Sequence, residues 1–101
     1  MLDKPSFGLS EKQLERIRNT IASCQRVDQA FIFGSRAMGT YRNGSDIDIA
    51  LEGEDLTLDD ILHLHSSIDS LNLPYFVDIL DIKRIENPDL KEHISRVGTY
   101  I

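Results

Sequence analysis

From Asp46 to Leu51 the chain alternates strictly: Asp46, Asp48 and Ala50 share one parity, Ile47, Ile49 and Leu51 the other. A period of two specifies a β-strand with one face in the core. Residues two apart on a strand point the same way, separated by roughly 6.5 Å of backbone, so Asp46 and Asp48 present convergent carboxylates opposite the isoleucines. Such a pair repels itself unless a cation sits there. Magnesium suits the position, because this hard ion takes one or two carboxylates together with substrate phosphates. The competing reading of the same pair is the solvated face of an edge strand, where acids are common.

The segment upstream weighs against that second reading. Ala30-Phe31-Ile32-Phe33 is a short apolar, aromatic and β-branched run that stops at Gly34, as a buried strand ending in a tight turn does. Glycine can take positive φ and lets the backbone come close to an anion. Ser35 adds a hydroxyl and, with Arg36-Ala37-Met38, opens a short helix whose free N–H groups favour phosphate oxygens. Arg36 follows the turn directly, placed to pair with phosphate, with an acid of the site, or in a surface ion pair.

A third acid comes from Pro74-Tyr75-Phe76-Val77-Asp78-Ile79-Leu80, where Asp78 is a lone charge in a run of high β-propensity. A buried carboxylate without a partner is costly, so Asp78 calls for an arginine or a metal shared with Asp46 and Asp48. Asp81 has the opposite parity and is expected at the strand's exposed end.

Ten residues separate Gly34-Ser35 from Asp46-Ile47-Asp48, and Asp78 follows Asp48 by 30. This compound pattern resembles the nucleotidyltransferase superfamily that includes DNA polymerase beta, and within it the minimal nucleotidyltransferases seen as antitoxins. The resemblance covers residues 10 to 101. It implies that Gly34 and Ser35, with Arg36 beside them, bind the nucleotide's phosphates. It also implies that Asp46, Asp48 and Asp78 are the catalytic acids, holding two magnesium ions, with ATP as substrate. One departure is Met38, where many relatives carry a basic residue.

At 101 residues, 41% hydrophobic and 28% charged, the chain is expected to form a single domain with one modest core. Larger nucleotidyltransferases bind base and acceptor with extra domains, so a minimal one must borrow those surfaces. The net charge of −6 and the lack of a Lys/Arg stripe interleaved with aromatics argue against a polymerase gripping a nucleic-acid backbone. No run is long enough to span a bilayer and there is no signal-type segment, so a cytoplasmic location is expected. The single cysteine, Cys24, falls on the spacing of Leu14, Ile17 and Ile21 and reads as a small buried hydrophobe on the first helix.

The expected element order is helix, strand, short helix, strand, helix, strand, helix. Ser10 caps the first helix, with Gln13 at the capping-box position, and the helix runs to about Ser23; residues 1–9 form a loose lead-in. Thr57 or Leu58 starts a helix to about Leu71 with Leu58, Ile61, Leu62, His65 and Ile68 on one face. Pro88 suits the first turn of a last helix with the apolar face Leu90, Ile94 and Val97. The predicted fold is an α/β (α+β) domain, a small mixed sheet covered by helices on one side and open on the other for the site. His63 and His65, about 200° apart on a helix, cannot share one metal and are read as structural or surface residues; His93 shows no ligand partner.

Together these residues point to transfer of AMP from ATP to a hydroxyl, with attack at the α-phosphorus and loss of pyrophosphate. Three readings follow: modification of a helical toxin of the HEPN class, catalysis on a small molecule beside a helical substrate-binding partner, or neutralisation of a partner by contact alone. Three converging acids weigh against the last. The first two both make the protein part of a hetero-oligomer.

Overall fold

The computed structural model describes residues 7–101. It contains a four-stranded sheet in the order β3-β2-β1-β4, formed by β1 (Gln29–Phe33), β2 (Ile47–Glu52), β3 (Val77–Asp81) and β4 (Thr99–Tyr100), with α1 (Glu11–Ala22), α2 (Ser35–Met38), α3 (Leu58–Asp69) and α4 (Pro88–Val97) around it. β1 runs antiparallel to β2 and to β4, while β2 and β3 are parallel. The sheet is therefore mixed, as expected. Strand β4 was not foreseen; two residues carry no readable period, and Tyr100 is held there by its ring, 4.6 Å from that of Phe31.

Local chemistry sets the helix starts. Ser10 Oγ accepts from the Gln13 amide while the Gln13 side chain accepts from the Ser10 amide, closing the expected capping box. Thr57 and Asp60 repeat the device for α3, and Asn87 caps α4 with Pro88 in its first turn. Leu14, Ile17 and Ile21 of α1 and Ile61, Leu64 and Ile68 of α3 cover one face of the sheet, meeting Ile32, Ile47, Ile49, Leu51 and Ile79.

Three expectations need correction here. On α3, Leu58 and Leu62 are exposed and Leu64 is buried, because positions 61, 64 and 68 form the i, i+3, i+7 stripe facing the strands. Cys24 lies just past the end of α1, half-buried against the same core. Phe7 and Leu9 are buried core members rather than part of a loose lead-in, while residues 1–6 lie outside the described residues.

The second face is not fully open. A smaller cluster of Phe33, Ala50, Ile85 and Ile94, flanked by Leu80, Ile82, Leu90 and Val97, seats α4 and the 3-10 turn Ile82–Arg84 against it. Ala50 has the same parity as the acids, yet it is completely buried. Only the end of this face that carries Asp46, Asp48 and Asp78 is left uncovered by that cluster.

Candidate active site

The register assembles the acids. Phe33 at the end of β1 pairs with Asp48 in the middle strand, and Asp48 pairs with Asp78 on β3, so the turn after β1 and two carboxylates lie in one row across three strands. Asp46 sits one residue before β2, two positions from Asp48 on the same parity. Asp46 and Asp78 are exposed and Asp48 is half-buried. Burial, followed by the charges of Asp78 and Asp46, pushes the Asp48 carboxyl above its usual range, against a weaker opposing effect of Arg36. Electrostatically the three acids form one group.

No three His, Cys, Asp or Glu side chains are already gathered at metal-binding distance among the described residues. The donor set nevertheless fits a hard divalent cation, being all carboxylate oxygen, mutually repulsive and partly open to water.

Gly34 turns the chain from β1 into α2 at φ 73°, ψ −154°, a conformation that side-chain-bearing residues avoid. A methyl group in its place would collide with the Asp48 carboxylate. The glycine thus makes room for the acid, a requirement the sequence did not reveal. Helix α2 closes on Gly39 in the left-handed conformation. Met38 is 48% exposed, so its side chain lies outside the core packing.

Arg36 is not placed as a phosphate ligand. It is 3% exposed, and its guanidinium donates to carbonyls: Nη1 to Phe7 O at 2.7 Å, Nη2 to Ser45 O at 2.7 Å, and Nε to Ser45 O and Asp46 O at 3.1 and 3.3 Å. The rings of Tyr75 and Tyr41 lie 4.5 and 5.4 Å from its central carbon. Since the Ser45 and Asp46 carbonyls belong to the segment leading into β2, Arg36 braces Asp46, and its bond to Phe7 O ties residue 7 to the same place. The sequence placed Arg36 correctly beside the turn, but its partners are backbone atoms that carry no signature.

Asp78 and Asp81 exchange the burial expected of them. Asp78 stands exposed on the acid face, whereas Asp81 is 5% exposed, its Oδ1 accepting from the Lys83 amide and its Oδ2 from Arg84 Nε. The parity was read correctly. What escaped was that the chain turns immediately after β3, and that turn both buries and satisfies Asp81.

One residue of the site went unrecognised. The Gly34 amide donates to His93 Nε2 at 3.1 Å, and the imidazole meets the Phe33 ring edge-on with centroids 6.1 Å apart. On α4, His93 flanks the apolar stripe of Leu90, Ile94 and Val97, which carries it to the sheet; that flanking position was the available signal. His63 and His65 lie on α3, away from the acids, with His65 at 3.8 Å from Asp69.

The model of the family described as "Polymerase beta, Nucleotidyltransferase" matches residues 15–101. The chain belongs to that family. Among solved structures, this nucleotidyltransferase domain is similar to a chain of a toxin–antitoxin complex with AMP-PNP, at 24% identity and a TM-score of 0.69, covering 91% of this chain and 72% of the other. It is similar to a chain of the toxin–antitoxin MntA–HepT, at 19% identity and 0.68, covering 90% and 70%. It also resembles a chain of the complex of tri-AMPylated Shewanella oneidensis HEPN toxin with MNT antitoxin, at 20% identity and 0.61, covering 87% and 70%. No match was found among curated proteins. These likenesses concern the fold. No helix among the described residues is long and apolar enough to cross a membrane.

Proposed function

We propose that this domain transfers AMP from ATP to a hydroxyl of a helical partner protein of the HEPN class, acting as the antitoxin of a toxin–antitoxin pair. The observation that carries the reading is the row formed by Gly34, Asp48 and Asp78 across β1, β2 and β3. It places a phosphate-sized turn on one flank of the acids and the exposed edge of β3 on the other. Membership of the nucleotidyltransferase family supports the reaction class. The fold neighbour named as a complex of HEPN toxin with MNT antitoxin, and the one named as the toxin–antitoxin MntA–HepT, support the partner class.

Asp46, Asp48 and Asp78 would hold magnesium, two ions on this reading, and the metal supplies charge neutralisation of the triphosphate and a lowered pKa at the acceptor hydroxyl. The protein's part is orientation. Ser35 presents its hydroxyl and amide to the terminal phosphates, and the brace of Arg36 keeps Asp46 in place. Asp78, on the far side of Asp48 from the turn, orients the acceptor oxygen and helps draw off its proton. The oxygen attacks the α-phosphorus as the bond to pyrophosphate breaks, so acceptor and leaving group lie on opposite flanks. Phe76, 83% exposed and two residues before Asp78, adjoins the acceptor flank and is open to contact with a bound partner.

The test is co-expression with the neighbouring helical protein, followed by intact-mass measurement of that protein, with wild type and with Asp46→Asn/Asp48→Asn. A mass increase of one or more AMP groups with wild type alone is the expected result. A partner neutralised by the double mutant with no change in mass would replace the enzyme reading by neutralisation through contact.

A further inference from the structure

We propose that His93 is a positioning residue of the nucleotide site, holding the Gly34 amide so that Ser35, rather than Gly34, faces the phosphates. This rests on the nucleotidyl-transfer reading above. A backbone amide has one hydrogen, and that of Gly34 is directed at His93 Nε2, 3.1 Å away. Glycine needs such a restraint here. At φ 73°, ψ −154° it has no side chain to lock the turn; its carbonyl accepts from the Met38 amide at 3.1 Å, and the His93 bond holds the other side, the peptide joining Phe33 to Gly34.

The restraint comes from a rigid element. Ile94 beside His93 belongs to the cluster with Phe33 and Ala50, and the Phe33 ring packs edge-on against the imidazole. Phe33 in turn pairs with Asp48, so the imidazole joins strand end, turn and helix at the acid row. Because Nε2 takes up the Gly34 hydrogen, it is not free to ligate a metal. With the peptide before Gly34 held by His93 and the one after it by the Met38 amide, the direction of Ser35 is set from both sides.

The experiment compares wild type with His93→Leu, which keeps an apolar body against Phe33 but removes the acceptor, and His93→Gln, whose amide oxygen can accept. Three quantities are measured: hydrogen-exchange protection of the Gly34 amide, the dissociation constant for ATP with magnesium, and the turnover number. His93→Leu should lose Gly34 protection and bind Mg-ATP about two- to tenfold more weakly, the range one hydrogen bond spans, with the turnover number less affected. His93→Gln should recover both protection and affinity. Melting temperatures within about 3 °C of wild type separate this from simple unfolding.

Equal or tighter Mg-ATP binding by His93→Leu would overturn the proposal, since His93 would then be idle or competing with phosphate for the Gly34 amide. Failure of glutamine to rescue would overturn it as well. If wild type protects Gly34 but binds no Mg-ATP, the nucleotidyl-transfer reading falls and the positioning role falls with it, leaving the bond as a packing contact. Normal binding by every variant would sink the His93 inference alone.

Discussion

On the outer face of β2, Asp46 is exposed and Asp48 half-buried, and two residues further along, at the same parity, Ala50 lies completely buried beneath α4. The two ends of this face share a strand, a pleat and a set of neighbours. They differ in what covers them. Ile85 and Ile94 close the far end with apolar surface, while at the near end partial burial, and after it the charges of Asp78 and Asp46, lift the Asp48 pKa. Alternation therefore tells which way a side chain points, but whether that side is core or site depends on where the last helix docks.

Carrying the acid pattern one step too far breaks the comparison most severely. Ala50→Asp places an unpaired charge in a sealed cluster and should cost about 3 to 5 kcal/mol, unfolding a domain of this size at physiological temperature, as read by denaturant titration. At the other end the acids can lose charge without losing fold. Each of Asp46→Asn, Asp48→Asn and Asp78→Asn should leave the circular dichroism unchanged and lower AMP transfer by about two to three orders of magnitude, measured by labelled-nucleotide incorporation.

Between these limits stand residues that support the near end from below. Arg36→Met keeps length but abandons the carbonyls of Phe7, Ser45 and Asp46, and should destabilise by about 2 to 4 kcal/mol with a fall in activity beyond that of the unfolded fraction. Asp81→Asn, on the opposite face, should cost about 1 kcal/mol through its ion pair and turn contact and leave transfer unchanged. Loss of transfer there would mean that the acid row has been assigned to the wrong parity.

The smallest effect concerns Asp48 and pH. Its folded-state pKa is raised above the ordinary value of 3.8, so between the two values the native state binds more protons than the unfolded chain, and stability falls as pH rises through that window. In metal-free buffer Asp48→Asn should therefore melt slightly above wild type at neutral pH, the gap closing below pH 3.8. Magnesium with ATP should narrow it at pH 7 by stabilising wild type. An unchanged gap would argue against a cation among the acids.

Much of this molecule was readable from local pattern. The capping box at Ser10, the alternation of β2 and the Gly34-Ser35 turn each declare themselves within a few residues, and the acid row follows from parity. The residues that escaped act across sequence distance: His93 meets Gly34 from 59 positions away, and Arg36 reaches back 29 to Phe7. The place of helix α3 is legible in the sequence, but its buried stripe takes Leu64 rather than Leu62, because Leu58, Leu62 and Leu64 are equally apolar and only contact with the sheet chooses among them.

The pairing of Asp48 with Asp78 across parallel strands has a consequence for how the protein is made. Parallel neighbours cannot be joined by a hairpin, so residues 53–76, including all of α3, must cross over before β3 can dock. Long-range pairing of this kind is slow compared with closure of the β1–β2 pair. A nascent or partly folded chain can thus display Gly34, Asp46 and Asp48 in native register while still lacking its third carboxylate. On the nucleotidyl-transfer reading proposed above, chemistry would wait for the edge strand, and the arrival of β3 would separate a chain able to bind from one able to react.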